Sequence, residues 1–178
     1  QTTGTGLMQA GSLTVNDPLT LRNGTGGIRI VDTINMVSDQ LILETSGLAM
    51  QSLTGAIRVE KLAFSGSGNF VFDSAYNAID TFAAGAADAP VTSISLLNQD
   101  TLIIGSINPT GIHATGTNSI ATLAGDLIIQ DSIITTNNDF NAIRLYADST
   151  RLAGDGTGGN IQLLGVVQAG TSGRGMLF

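Results

Sequence analysis

The chain has 178 residues and a mass of 18.2 kDa, which suits one domain whose core is large enough to fold without staples. It has no cysteine, so disulfides are excluded, and a formal charge of −7 argues against an electrostatic grip on nucleic acid or anionic lipid. With 42% hydrophobic residues it is too apolar for a disordered tail, yet its apolar runs fall far short of the roughly 20 residues that span a bilayer.

The 23 glycines, with many Thr, Ser, Asn and Asp, make a turn-rich composition. Glu occurs only at Glu44 and Glu60, and charged residues are 12% of the chain, which does not suit the exposed faces of a helical bundle. The lack of cysteine and the single lysine, Lys61, suit an extracellular surface protein, and a cysteine-free cytosolic one equally. Gln1 is not followed by a charged region and an apolar stretch, so any signal peptide has been removed or lies outside this segment.

In chain order, apolar doublets with one residue between them begin at Leu13/Val15, Ile28/Ile30, Leu41/Leu43, Ile57/Val59 and Phe70/Phe72, spaced by 15, 13, 16 and 13 residues. Each of the first four is followed by a second doublet: Leu19/Leu21, Ile34/Met36, Leu48/Met50 and Leu62/Phe64. The unit predicts strand, bend, strand, turn. Residues 74–82 next predict a short helix with Tyr76, Ile79 and Phe82 on one side, and Ala83–Pro90 reads as an inserted loop, so residues 74–90 interrupt the rhythm. Beyond it the doublets return at Ile94/Leu96, Ile112/Ala114, Leu127/Ile129, Ile143/Leu145 and Ile161/Leu163, spaced by 18, 15, 16 and 18.

Short strands of this kind cannot bury their inward side chains alone. Winding successive units about one axis pairs each strand in parallel with its counterpart above and below, and makes continuous ladders of inward Leu, Ile, Val and Phe. The prediction is therefore an all-β fold, a parallel β-helix (β-solenoid) forming one domain over 1–178, in preference to an antiparallel sandwich or barrel with longer strands and hairpins. The middle residues, among them Thr14, Thr20, Arg29, Ile42, Ala49, Ala63 and Val71, should point outward, with Ile42 and Val71 marking places where a loop covers the outer face. One coil holds either one unit or two units of about 29 to 31 residues. At a rise of about 4.8 Å, five to ten coils make a rod of about 24 to 48 Å.

The segments Gly158–Leu163 and Gly125–Gln130 resemble repeats of filamentous haemagglutinin-like proteins, very large secreted bacterial surface proteins, and Leu102–Gly165 carries most of the likeness. The resemblance implies a right-handed parallel β-helix displayed outside the cell, secreted or at the cell surface, serving adhesion to host or matrix glycans or proteins, or acting as a structural fibre. The Asn-Pro-Asn-Leu and Asn-Pro-Asn-Gly secretion motifs of that group are missing, with Asn108-Pro109-Thr110-Gly111 as a partial echo.

The inventory for chemistry is thin. His113, the one histidine, is the outward middle residue of its doublet, and no G-x-S-x-G elbow exists for a serine nucleophile. Polysaccharide-cleaving β-helices need clustered carboxylates with a base. Here Asp126, Asp131, Asp139, Asp148 and Asp155 are scattered, with Arg144 and Arg151 near them, and stacking could at most join Asp131 to Asp148. Acids in such turns more often cap the local backbone. Gly154–Asn160 is a single imperfect copy of a calcium-binding nonapeptide that works only in tandem. The glycine strings lack the G-K-[ST] of a phosphate loop. Twenty-one threonines invite an ice-binding reading, yet the outward positions form no flat threonine array.

The expectation is thus a non-enzymatic rod needing no cofactor, with polysaccharide binding or cleavage and ice binding as the rivals. Solenoid ends leave strand edges unpaired. The echo between Gln9-Ala10-Gly11 and Gln168-Ala169-Gly170 puts both ends in one phase of the repeat, so Leu7, Met8, Met176, Leu177 and Phe178 are the expected contacts for self-association or for continuation of the same chain, end to end.

Overall fold

The computed structural model describes residues 6–149 and 158–178 and contains no helix among them. A first coil holds β1 (Met8–Ala10), β2 (Leu13–Thr14) and β3 (Leu19–Arg22). Three coils with two strands each follow: β4 (Ile28–Ile30) and β5 (Thr33–Glu44), β6 (Leu48–Gln51) and β7 (Ala56–Ser65), β8 (Asn69–Phe72) and β9 (Ala78–Ala84). Three-stranded coils then return as β10 (Ser93–Asn98), β11 (Leu102–Ile104) and β12 (Ile112–Ala114), then β13 (Asn118–Thr122), β14 (Leu127–Ile129) and β15 (Ile133–Thr135). The last strands are β16 (Ile143–Tyr146), β17 (Ile161–Leu163), β18 (Val167–Gln168) and β19 (Gly175–Leu177).

Every pairing between these strands is parallel, so the predicted solenoid is the fold. Strands β1, β4, β6, β8, β10, β13, β16 and β19 stack in that order as one sheet, and the other eleven form a second. The second sheet covers two sides of each coil. Strand β5 pairs with both β2 and β3, and β9 with both β11 and β12, because β5, β7 and β9 run round a corner that the other coils cross with a break. At about 4.8 Å per rung, β1 to β19 span about 34 Å.

The coil length corrects the sequence reading. Rungs of the eight-stranded sheet, read at Met8, Ile28, Ala49, Phe70, Ile94, Asn118, Ile143 and Gly175, lie 20, 21, 21, 24, 24, 25 and 32 residues apart. Neither one unit nor two make a coil, since each coil carries three doublets. From Leu13 to Phe70 the lead doublets step by two thirds of a turn, so Leu13, Ile28 and Leu41 fall on three different sides, and Leu41 stacks on the follower doublets at Leu19 and Leu62.

Inward residues fill the core as expected, from Ile28 and Ile34 through Leu102 and Ile112 to Ile143, all with no exposed surface. Leu48/Met50 is the exception. Ala49, assigned outward, is fully buried between Ile28 and Phe70, while Leu48 is 44% exposed. The reason is volume. Phe64 stacks on Phe70 at 4.4 Å between centroids and meets Phe72 and Phe82 at 4.9 Å, so three ring pairs crowd this level of the core and a small residue completes it.

The expected helix at 74–82 is also corrected. Ile79 and Phe82 point inward from strand β9, whose backbone is paired to β7 and β11, and a helix would forfeit both ladders. Tyr76 sits on the preceding turn and is 62% exposed. The inserted loop is narrower than Ala83–Pro90: Ala83 and Ala84 belong to β9, and the excursion runs from Gly85, at φ 61°, to Pro90 before Val91 pairs with Ala114. That loop and residues 105–110 cover the outer face near Ile42, where Gln40 Nε2 donates to the Asn108 carbonyl at 3.0 Å. Ala63 and Ala83 are consequently buried although they point outward in register with Ile42. Val71 lacks such a cover and is 36% exposed.

Polar corners close the coils. Thr45, Thr92 and Thr135 each donate a side-chain hydroxyl to a carbonyl of the coil below, at Gly24, Ser67 and Gly116, over 2.6 to 2.7 Å. At another corner buried Asn77 donates to the Phe72 and Leu97 carbonyls and accepts from Ile57 N, and Asn98 repeats the device with the backbone of Ile79. These contacts satisfy backbone groups that the turns leave out of the ladders.

Candidate functional site

The two ends of the stack are the candidate site. At one end β1, β2 and β3 each pair on one side only among the described residues, and at the other so do β17, β18 and β19. Among the described residues, inward side chains here have a stacking neighbour on one side only. Met8, Ala10, Leu13, Val15, Leu19 and Leu21 are partly exposed at the first end, as are Ile161, Val167 and Ala169 at the second. Leu163 and Leu177 are 47% and 49% exposed, although Ile129 and Leu145, one rung deeper in register, are sealed.

The five assembly residues expected from the sequence divide by orientation. Met8 stacks on Ile28 and Leu177 on Leu145, both inward, so these two belong to the uncovered core rows. Met176 pairs with outward Arg144, and Phe178 stacks its ring on Tyr146 at 4.7 Å, so both lie on the outer wall. Leu7 lies just ahead of β1 and is 48% exposed. Sequence reasoning missed Leu13, Val15, Leu19 and Leu21, and Ile161, Leu163, Val167 and Ala169. The signal that reveals them is the coil length: with 20 or 21 residues per turn at the first end and 25 and 32 at the last, each end turn carries three strand rows.

No group of three His, Cys, Asp or Glu that could hold a metal occurs among the described residues, and no helix there is long and apolar enough to cross a membrane. His113 points outward, half-buried, in register with Ile134. Stacking does not unite Asp131 with Asp148. They lie at opposite ends of β14, Asp131 against Gly165 after the strand and Asp148 against Gly159, which abuts Gly125 before it. Asp126 caps the coil above: it accepts from Asn160 N at 2.8 Å, from Asn160 Nδ2 at 3.3 Å and from Gln162 Nε2 at 2.7 Å. The Asn160 backbone N–H, then its side chain, hold the Asp126 carboxyl below the usual aspartate range. Asp155, Arg151 and most of the calcium-like string Gly154–Asn160 lie outside the described residues.

These features define the described residues as a parallel β-solenoid. No protein-family model, curated protein or solved structure matches the chain.

Proposed function

We propose that this chain is an extracellular structural rod, secreted or held at the cell surface and related in kind to filamentous haemagglutinin-like repeats, whose ends join further turns of the same type. In the isolated protein the partner is a second copy. The observation that carries this reading is the matching layout of the two ends, three parallel strand edges each over uncovered inward apolar rows. Stacking β1 on β19, β2 on β17 and β3 on β18 continues every ladder in its own direction. In that register Met8 meets Gly175 and Ala10 meets Leu177, large against small in both cases, while Leu13 and Leu19 cover Ile161 and Val167.

Light scattering and electron microscopy on the purified protein test the reading. The expected result is concentration-dependent rods of uniform width, lost on Leu177→Asp with the β spectrum of the body retained. A compact monomer at millimolar concentration overturns it.

A further inference from the structure

The three sides of the coil differ in what they show to water. One is crossed by the loops at 85–90 and 105–110, and another carries Arg58, Glu60 and Asp80. The third, the outer face of the eight-stranded sheet, has neither that cover nor that charge: from β6 to β19 its strands hold one charged residue, Arg144. Met50, Val71, Ser95, Ser119, Arg144 and Met176 stack there as one outward column. The next outward position on each strand adds a second column, in which Leu97 lies beside Ala121 and Tyr146 beside Phe178. Val71 and Phe178 are 36% and 59% exposed, and the small Ser95, Ser119 and Ala121 leave a hollow of about 300 Å³ walled by Asp73, Leu97 and Tyr146. An exposed apolar stretch of this extent marks an interaction surface.

Two groups on this wall lack a counterpart. Arg144 makes no ion pair or hydrogen bond among the described residues, and its Nε is shielded from water. Asp73, the residue after β8, accepts from Ser95 Oγ through Oδ1 at 2.7 Å, and its Oδ2 has no partner among the described residues. The two stand three rungs apart, about 14 Å, too far to pair within one chain.

We propose that this wall packs against the same wall of a second copy, antiparallel, about a twofold axis that runs along the strands between β10 and β13. Each column then faces its own kind with the rungs in reverse order: β10 lies on β13 of the second copy, β8 on β16 and β6 on β19. Arg144 lays its stem on Val71 of the second copy and reaches Asp73, the next outward residue of that strand, and symmetry makes this ion pair twice. Leu97 sits on Ala121, large against small, and Met50 meets the equally adaptable Met176. Charge selects both the direction and the stagger. A parallel pair sets Arg144 on Arg144, and an antiparallel pair in full overlap sets it on Arg29, whereas this register leaves β1 and β4 beyond the contact. Six strands at about 4.8 Å per rung span about 24 Å, which places the contact at the small end of specific interfaces. The inference goes beyond the end-to-end reading and stands without it, because the pairing leaves both ends open.

Sedimentation velocity on the whole chain carrying Leu177→Asp, which keeps the ends apart, tests it. The expected result is a reversible dimer at high micromolar concentration. Its dissociation constant should rise tenfold or more on Asp73→Arg or on Arg144→Asp, and return to within about threefold of the starting value when the two are combined. The chain has no cysteine, so Met50→Cys and Met176→Cys report the orientation without interference. Mixed under oxidising conditions, these two variants should form a disulfide with each other and neither with itself. A monomer at every concentration, a dimer that the charge reversals leave unaltered, a double reversal that restores nothing, or a Met50→Cys variant that links to itself overturns the proposal.

Discussion

The middle coils and the end coils are built from the same doublets, yet they differ in what seals them. Around Phe64 every inward residue has a rung above and below, and Phe64, Phe70, Phe72 and Phe82 have no exposed surface. At Leu21 or Leu163 the same kind of side chain has a rung on one side only and stays partly in water. A doublet is therefore not a stable element in itself. Its contribution to stability comes from its two neighbours, as in any structure held by nearest-neighbour stacking.

The sharpest way to break this comparison is to truncate one side chain in each region. Phe64→Ala removes the ring shared by three aromatic contacts and should cost about 3–5 kcal/mol, whereas Leu21→Ala should cost only about 1 kcal/mol, both read from urea unfolding. Equal losses would mean that the ends are sealed in solution, and dilution would then separate the two values.

Not every sealed position is well made. Asn118 is inward and fully buried in register with Ile94 and Ile143, and neither its Oδ1 nor its Nδ2 has a hydrogen-bond partner among the described residues. Replacing it with leucine of similar size should raise stability by about 1–3 kcal/mol, seen as a higher melting temperature. Thr135 is the opposite case. It donates to Gly116 O at 2.7 Å and accepts from Asn137 N at 3.2 Å, so Thr135→Val should lower stability by about 1 kcal/mol in the same melting experiment.

The smallest effect belongs to the last turns. Because folding lowers the Asp126 pKa, its contribution is present above the unfolded value of about 3.9 and is lost as pH falls through the folded value. Amide exchange at Asn160 and Gln162 should therefore quicken, beyond its intrinsic pH trend, only below that range. Asp126→Asn should remove the dependence while global unfolding hardly changes.

The fold class was legible in the sequence because a buried residue on either side of an outward one, repeated between glycine turns, has few solutions other than stacked parallel strands. The coil length was not, because all three sides carry similar doublets and a pattern of hydrophobicity does not say which side it is on. Leu48 and Ala49 show a second limit. The larger residue looks like the inward one, and only the space taken by Phe70 and its neighbours reverses the choice. In residues 74–82 a three-residue apolar spacing suggested a helix, but Tyr76 belongs to a turn and the others to β9. Of the end residues, Met8 and Leu177 were found by proximity to the termini. Leu13, Leu19, Ile161 and Val167 were hidden, since they are at an end only once the coil is known.

The uniform parallel pairing gives the molecule a direction. Two like ends placed face to face would set their strands antiparallel, so only a head-to-tail contact would continue the parallel ladders across a junction. Such a contact is heterologous and, when its rotation lies along the stacking axis, never closes into a ring. A polymer of this protein would accordingly be polar, with chemically distinct growing and trailing tips, and would carry no intrinsic stop. Its length would be set by subunit supply or by a separate terminating cap.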